Sequence, residues 1–188
     1  MATTDEYIKY DIRFFEEFVQ YLDFDVQDTS TLKKAVEMGL VQRERLVELA
    51  ISAVSGIPID SRHGRDHADG SDTKTVVSGF RNNNIKKGEW TNSFCVRNIA
   101  TKSGSLRVVA YNKFQDRFHY FYIPNWAFQH CSYTVEITIE KVSRCYQKPD
   151  FKGIPNKTLK WWQYECFSFE EMCQKNDNFL VDKHLQTL

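Results

Sequence analysis

The stretch GSLRVVAYNKFQDRFHYFYIP, residues 104–124, has the clearest hairpin pattern in the chain. It contains two runs rich in β-branched and aromatic residues, LRVVAYN (106–112) and RFHYFYIP (117–124), on either side of the polar segment KFQD (113–116). Runs of this composition joined by a short polar segment are typical of a β-hairpin. The sequence therefore predicts two antiparallel strands of a sheet.

Further strand patterns lie on both sides of this hairpin. TKTVVSGF (73–80) and SFCVRNI (93–99) precede it, and SYTVEITIEKV (132–142), which alternates strictly, follows it. Helical patterns come before and after the strands. This order predicts an α/β (α+β) domain with one central sheet.

The N-terminal part of the chain has the periodicity of helices. Apolar side chains recur at helical spacing in residues 5–24, which predicts an amphipathic helix packed on the core or on a second subunit. The polar run QDTST suits a turn with Ser30 or Thr31 as N-cap. Residues 32–55 then read as helical, with a break near Gly39.

A chain of 188 residues fits a single domain. The C-terminal part has a Pro/Gly loop, KPDFKGIPNK, and then a predicted helix over 168–185 with Ser168 as its cap. The predicted domain covers residues 1–188. Its helical N-terminal part is residues 1–55, its catalytic sheet is residues 57–145, and a loop with a C-terminal helix makes up residues 146–188.

Composition excludes few functions. The chain has 25 Lys and Arg against 25 Asp and Glu, so only local charge clusters can indicate a partner. No apolar run approaches the roughly 18 residues of a membrane span, and the acidic N-terminus lacks a signal pattern, so we expect a soluble, cytoplasmic protein with no membrane partner. Without a CxxC pair, reduced thiols are expected at Cys95, Cys131, Cys145, Cys166 and Cys173.

The stretch SRHGRDHADGSDTKTVV (61–77) carries the candidate chemistry. Because alternate residues of a strand share a face, Asp72 and Lys74 aim a carboxylate and an ammonium into the same space. The flexible residues before them allow Asp66 or Asp69 to fold back beside Asp72. Carboxylates of this kind hold Mg²⁺ for phosphodiester hydrolysis, and a lysine can position the attacking water. A solvated acidic loop is the alternative.

Asp66…Asp72-Thr73-Lys74 resembles the bipartite motif of the PD-(D/E)XK nuclease superfamily, an acidic residue followed by Asp/Glu-x-Lys on the next strand. The preceding helix with Glu48 is similar in layout to MutH-type nicking enzymes and type II restriction endonucleases. The resemblance covers residues 40–78 by motif and the later strands by architecture. It implies a restriction-endonuclease-like central mixed sheet flanked by helices.

The resemblance also implies roles for the site residues. Asp66 and Asp72 would bind Mg²⁺, Glu48 would support the metal shell or a water, and Lys74 would position the nucleophilic water. The identity of the first acidic residue of the motif stays open. We prefer Asp66, and Asp60 is the alternative. Asp69 lies so near Asp72 in the sequence that it suits the turn before the strand.

The function implied by the resemblance is a Mg²⁺-dependent endonuclease that hydrolyses double-stranded DNA, with the sequence specificity of a type II restriction enzyme. Small size fits a homodimer in which each subunit cuts one strand, and the N-terminal aromatic helix is a candidate dimer surface. Two alternatives remain. One is a non-catalytic nucleic-acid-binding or protein-interaction module with a solvated acidic loop, and the other is a monomeric nicking or repair nuclease.

Two polar, basic loops are candidate DNA contacts, because Asn, Arg and Lys reach base edges and phosphates. His63 and His67 are expected in a loop near DNA phosphates. The candidate DNA-binding residues of GFRNNNIKKGEW and RNIATKSGSLR are Arg81, Asn82, Asn83, Asn84, Lys86, Lys87, Lys102, Ser103 and Arg107.

Overall fold

The structure is a computed structural model that describes residues 4–60, 65–77, 93–97, 104–113, 115–125, 134–138, 143–146, 158–159 and 164–177. The helices in these residues are α1 (Thr4–Phe18), α2 (Val26–Glu37), α3 (Arg43–Ser55) and α4 (Phe169–Gln174), with a 3₁₀ turn, Val19–Tyr21, after α1. The strands are β1 (Asp72–Val77), β2 (Ser93–Arg97), β3 (Leu106–Asn112), β4 (Arg117–Ile123), β5 (Thr134–Thr138), β6 (Ser143–Tyr146), β7 (Thr158–Leu159) and β8 (Glu165–Cys166). Within the described ranges, no helix combines the length and apolar character needed to cross a bilayer.

The predicted central hairpin is confirmed. β3 and β4 pair antiparallel, with Leu106 opposite Ile123. In the turn between them, Asp116 has a φ of 48° and its Oδ1 accepts a hydrogen bond of 2.8 Å from the Tyr111 hydroxyl. A short polar side chain that bonds locally makes this left-handed backbone accessible. The sequence pattern therefore located both strands and their connection.

The hairpin belongs to a four-stranded mixed sheet in the order β1-β3-β4-β8. β1 runs parallel to β3, whereas the other two pairings are antiparallel. With the helices, this sheet makes the fold a general α/β fold, as the sequence predicts. β1 lies at the edge of the sheet, so every second backbone N–H of β1 points away from β3 and needs a partner from outside the sheet.

The expectation of one central sheet is wrong. β2, β5, β6 and β7 form a second, antiparallel sheet of four strands. Alternation identifies a strand but does not say which strand it pairs with, and β2 pairs with β5 although β1 and β3 flank it along the chain. Two short strands, β7 and β8, lie in residues 146–188, where the sequence predicts only a loop and a helix.

The aromatic side of α1 packs into the protein's own core. Tyr10, Phe14 and Phe18 are buried there. Phe14 meets Phe118 edge to face, with 5.0 Å between the ring centroids. This is the favoured arrangement, since the electropositive ring edge faces the electronegative ring face. Packing on the core is therefore confirmed, and the prediction that this face is a dimer surface is wrong for these three side chains.

The helix break at Gly39 is confirmed, but the predicted N-cap is not. Gly39 has a φ of 72° between α2 and α3. α2 begins earlier than predicted, because Asp25 has extended backbone and its carboxylate accepts a 2.8 Å hydrogen bond from the Asp28 N–H. Ser30 and Thr31 therefore lie inside the helix.

The cap of the C-terminal helix is confirmed, and its predicted length is wrong. Ser168 Oγ accepts a 3.1 Å hydrogen bond from the Glu171 N–H at the start of α4. The helix ends at Gln174 because Lys175 adopts extended backbone, with φ −69° and ψ 141°. The remainder of the predicted helix after residue 177 lies outside the described residues.

Candidate functional site

The edge strand β1 presents the predicted carboxylate and ammonium together. Asp72 is buried and Lys74 is half-buried, and Lys74 Nζ lies 2.8 Å from Asp72 Oδ2. Lys74 Nζ also donates to the Thr73 carbonyl at 3.2 Å. The Asp72 N–H donates to the Ser105 carbonyl at 3.0 Å, which fixes the start of β1 against the chain that enters β3. The pairing expected from strand alternation is present.

Asp66 lies beside Asp72 because its carboxylate occupies the open edge of β1. Asp66 Oδ2 accepts a 2.7 Å hydrogen bond from the Thr73 N–H, in place of a neighbouring strand. Burial raises the pKa of Asp66 well above its ordinary value, and a hydrogen bond with the Asp72 carboxyl group raises it further. Two carboxyl groups in contact favour holding one proton between them, since two adjacent negative charges repel.

A tight loop brings Asp66 to this position. The Ala68 N–H donates to the Pro58 carbonyl and the Asp60 N–H to the Asp66 carbonyl, each at 2.9 Å. Asp60, the alternative first acid, forms an ion pair with Arg65 across the same loop, with 3.2 Å between Oδ2 and Nε. Of the two acids, the geometry therefore brings Asp66 to Asp72 and leaves Asp60 engaged with Arg65.

Asp69 belongs to the turn before β1, as the sequence indicates. Its Oδ1 accepts hydrogen bonds from the Ser71 N–H at 2.9 Å and the Ser71 hydroxyl at 2.6 Å. Burial would raise the pKa of Asp69, but the hydrogen bonds from Ser71 and the charge of Arg107 outweigh burial and hold this pKa below its ordinary value. Asp69 is therefore an ionised structural group.

Glu48 lies on α3, the helix that packs against β1. Its Oε2 lies 2.6 Å from Arg45 Nη1, and its side chain is 13 % exposed. Burial is the main cause that raises the pKa of Glu48, and the charge of Arg45 opposes this rise. The charge of Lys74 also lowers this pKa, whereas the charge of Asp72 raises it. Its neighbour on the helix, Glu44, instead accepts a 3.0 Å hydrogen bond from Thr75.

The predicted DNA contacts are largely untested. Arg107 is the exception, and for it the expectation is wrong, because its side chain is completely buried and cannot reach a phosphate. The remaining candidates lie outside the described residues: Arg81, Asn82, Asn83, Asn84, Lys86, Lys87, Lys102 and Ser103.

His67 also differs from the expectation of a phosphate-facing loop residue. It is fully buried, and its Nε2 shares a 2.9 Å hydrogen bond with Thr73 Oγ1. Burial, and then the charge of Arg107, lower the pKa of His67 to about 4, so the ring is neutral at physiological pH. The other loop histidine, His63, lies outside the described residues. The polar composition of this loop does not predict the burial of His67.

Comparison of the chain with protein-family models, with curated proteins and with solved structures finds no match. The site offers two carboxyl groups in contact and an ammonium 2.8 Å from one of them.

The Asp69 turn predicts a pH dependence of stability. A carboxyl group whose pKa is lower in the folded state stabilises the fold above its unfolded pKa, and this contribution is lost as the pH falls through the folded pKa. Asp69→Asn should therefore lower the free energy of unfolding by about 1 kcal/mol above about pH 5, allowing for solvent screening of this partly exposed group. The difference from wild type should shrink below about pH 4. Urea titrations across this range measure it, and a difference that stays constant down to acid pH contradicts the prediction.

Proposed function

We propose that this protein is a Mg²⁺-dependent endodeoxyribonuclease of the PD-(D/E)XK type, with a restriction-endonuclease-like mixed sheet. One observation carries the proposal: Asp66 and Asp72 hold their carboxyl groups together at the edge of β1, with Lys74 Nζ 2.8 Å from Asp72. Paired carboxylates beside an ammonium supply the groups that metal-dependent phosphodiester hydrolysis uses.

Magnesium suits this donor set. Mg²⁺ prefers hard oxygen ligands, commonly binds through one or two carboxylates and keeps several waters. In the part of the chain that is described, no three His, Cys, Asp or Glu side chains form a metal-ligating group. Asp66 and Asp72 would therefore hold the ion together with water, and Glu48 would support its shell. The bound ion would neutralise phosphate charge and lower the pKa of its water.

Lys74 would act on the attacking water. Its ammonium is held at the edge of β1 by Asp72 and the Thr73 carbonyl, so it stays beside the carboxyl pair. There it would orient the nucleophilic water and stabilise the charge that develops on the phosphate oxygens. Double-stranded DNA is the proposed substrate, and a homodimer would provide one such site for each strand.

Incubation of the purified protein with supercoiled plasmid, with Mg²⁺ or with a chelator, tests the proposal. We expect cleavage with Mg²⁺ alone. Linear fragments with fixed ends would support a restriction enzyme, and open circles a monomeric nicking or repair nuclease. If neither plasmid nor genomic DNA is cut at any Mg²⁺ concentration, the proposal fails in favour of a non-catalytic binding module.

A further inference from the structure

Arg107 is a completely buried cation directly behind the candidate site. It lies on β3 opposite Thr73 of β1, and its side chain is 0 % exposed. Paired residues of neighbouring strands point to the same face, and successive residues point to opposite faces. Arg107 therefore shares a face with Thr73, whereas Asp72 and Lys74 are on the other face. A positional effect of Arg107 on the carboxyl pair would therefore act through the backbone of β1 and of the turn before it.

The guanidinium joins two distant segments. Arg107 Nη1 donates to Asp69 Oδ2 at 3.2 Å and to the Ser71 hydroxyl, so it binds both ends of the turn that leads directly into Asp72. Its Nη2 donates to the Lys175 carbonyl, just after α4, at 3.1 Å. The Tyr122 ring covers the guanidinium, with 5.5 Å from Cζ to the ring centroid.

Stability alone is a poor reason for this arrangement. Burial of a charge is costly, and apolar residues of similar volume often replace buried ion pairs without loss of stability. Arg107 is also incompletely satisfied, because its buried Nε has no hydrogen-bond partner among the described residues. What its planar fork adds is geometry: several donors at fixed angles hold the turn oxygens and the Lys175 carbonyl in one arrangement.

We propose that Arg107 is a positioning residue that holds the Asp69–Ser71 turn against the end of α4 and thereby fixes Asp72 beside Asp66. The consequence for metal binding rests on the proposed nuclease function, whereas the consequence for local geometry does not. The C-terminal segment around Lys175 is accordingly part of the support of the site. The Thr73 N–H, which donates to Asp66 Oδ2 at 2.7 Å, is the most direct reporter of this geometry.

Arg107→Lys tests the proposal, because lysine keeps the charge but not the fork. The amide protons of Asp72 and Thr73 should exchange about tenfold faster than in wild type, while slow amides of the β3–β4 ladder change much less. If the protein cleaves DNA, the Mg²⁺ concentration for half-maximal cleavage should also rise about tenfold. Arg117→Lys, at an exposed arginine of β4, is the matched control and should change neither measurement.

The outcomes separate the two proposals. Equal acceleration of all slow amides, or no acceleration at Asp72 and Thr73, overturns the positioning role whether or not the protein cuts DNA. Local acceleration in a protein that never cuts DNA supports the positioning role and removes the nuclease proposal. If Arg107→Lys does not fold, Ser71→Ala removes one acceptor of the guanidinium, and the same local acceleration must appear there.

Discussion

Asp72→Asn is expected to lower the rate of Mg²⁺-dependent DNA cleavage by about 10³-fold, the scale at which removal of one preorganised electrostatic group acts. The substitution keeps the size of the side chain and the strand, but it removes one of the two carboxylates that would hold the ion. It also removes the charge that Lys74 faces at 2.8 Å. Single-turnover cleavage of a labelled duplex measures the change. Asp72→Ala and Lys74→Ala should abolish cleavage in the same assay.

DNA binding separates loss of chemistry from loss of structure. Asp72→Asn should still bind DNA in the absence of Mg²⁺, since Asp72 is buried and would contribute to metal binding more than to the DNA surface. The matched control is Asp23→Asn, at an exposed carboxylate before α2, which should cleave at the wild-type rate. If purified Asp72→Ala retains cutting, the assignment of the site is wrong.

Gly104→Ala is expected to cost about 3 kcal/mol of stability, at the upper end of the usual range for overpacking. A Cβ at this position would lie 2.2 Å from the Gly70 carbonyl carbon and 2.3 Å from Ser71 N. These are backbone atoms of the turn before Asp72, so no flexible side chain can move away to relieve the clash. The two backbones must separate, and the turn would be displaced with them.

Gly56→Ala distinguishes this clash from a general cost of replacing glycine. Gly56 ends α3 with a φ of 74°, and nothing lies within 4 Å of a Cβ there. Only backbone strain opposes an alanine at this position, at about 1 kcal/mol. Denaturant titration of both variants gives the comparison. Equal and small losses would contradict the close approach of residues 104 and 70–71.

Local patterns predicted much of the fold. The β3–β4 hairpin, the helix α1 and the Ser168 cap each follow from composition and periodicity within one short segment. The contact between Asp72 and Lys74 was predictable for the same reason, since residues two apart on a strand share a face. Spacing along the sequence favours Asp66 over Asp69, and the loop geometry brings Asp66 to Asp72.

The burial of Arg107 and His67 is not predictable from the sequence. His67 lies in a polar, turn-rich segment and Arg107 directly follows one, yet both are fully buried. The groups that bury Arg107 are distant along the chain: Asp69 is 38 positions away and Lys175 is 68. Whether a charged side chain faces solvent or an internal partner depends on such contacts, and no local pattern contains them.

Periodicity within short segments predicts α1, α3, most of the strands and the contact between Asp72 and Lys74. The tertiary structure sets the division of the strands into two sheets, the burial of the aromatic face of α1 and the hydrogen bonds from Arg107 to the turn before Asp72. These features depend on which distant segments pair and which groups lose contact with water. They are set by the free energy of the whole fold.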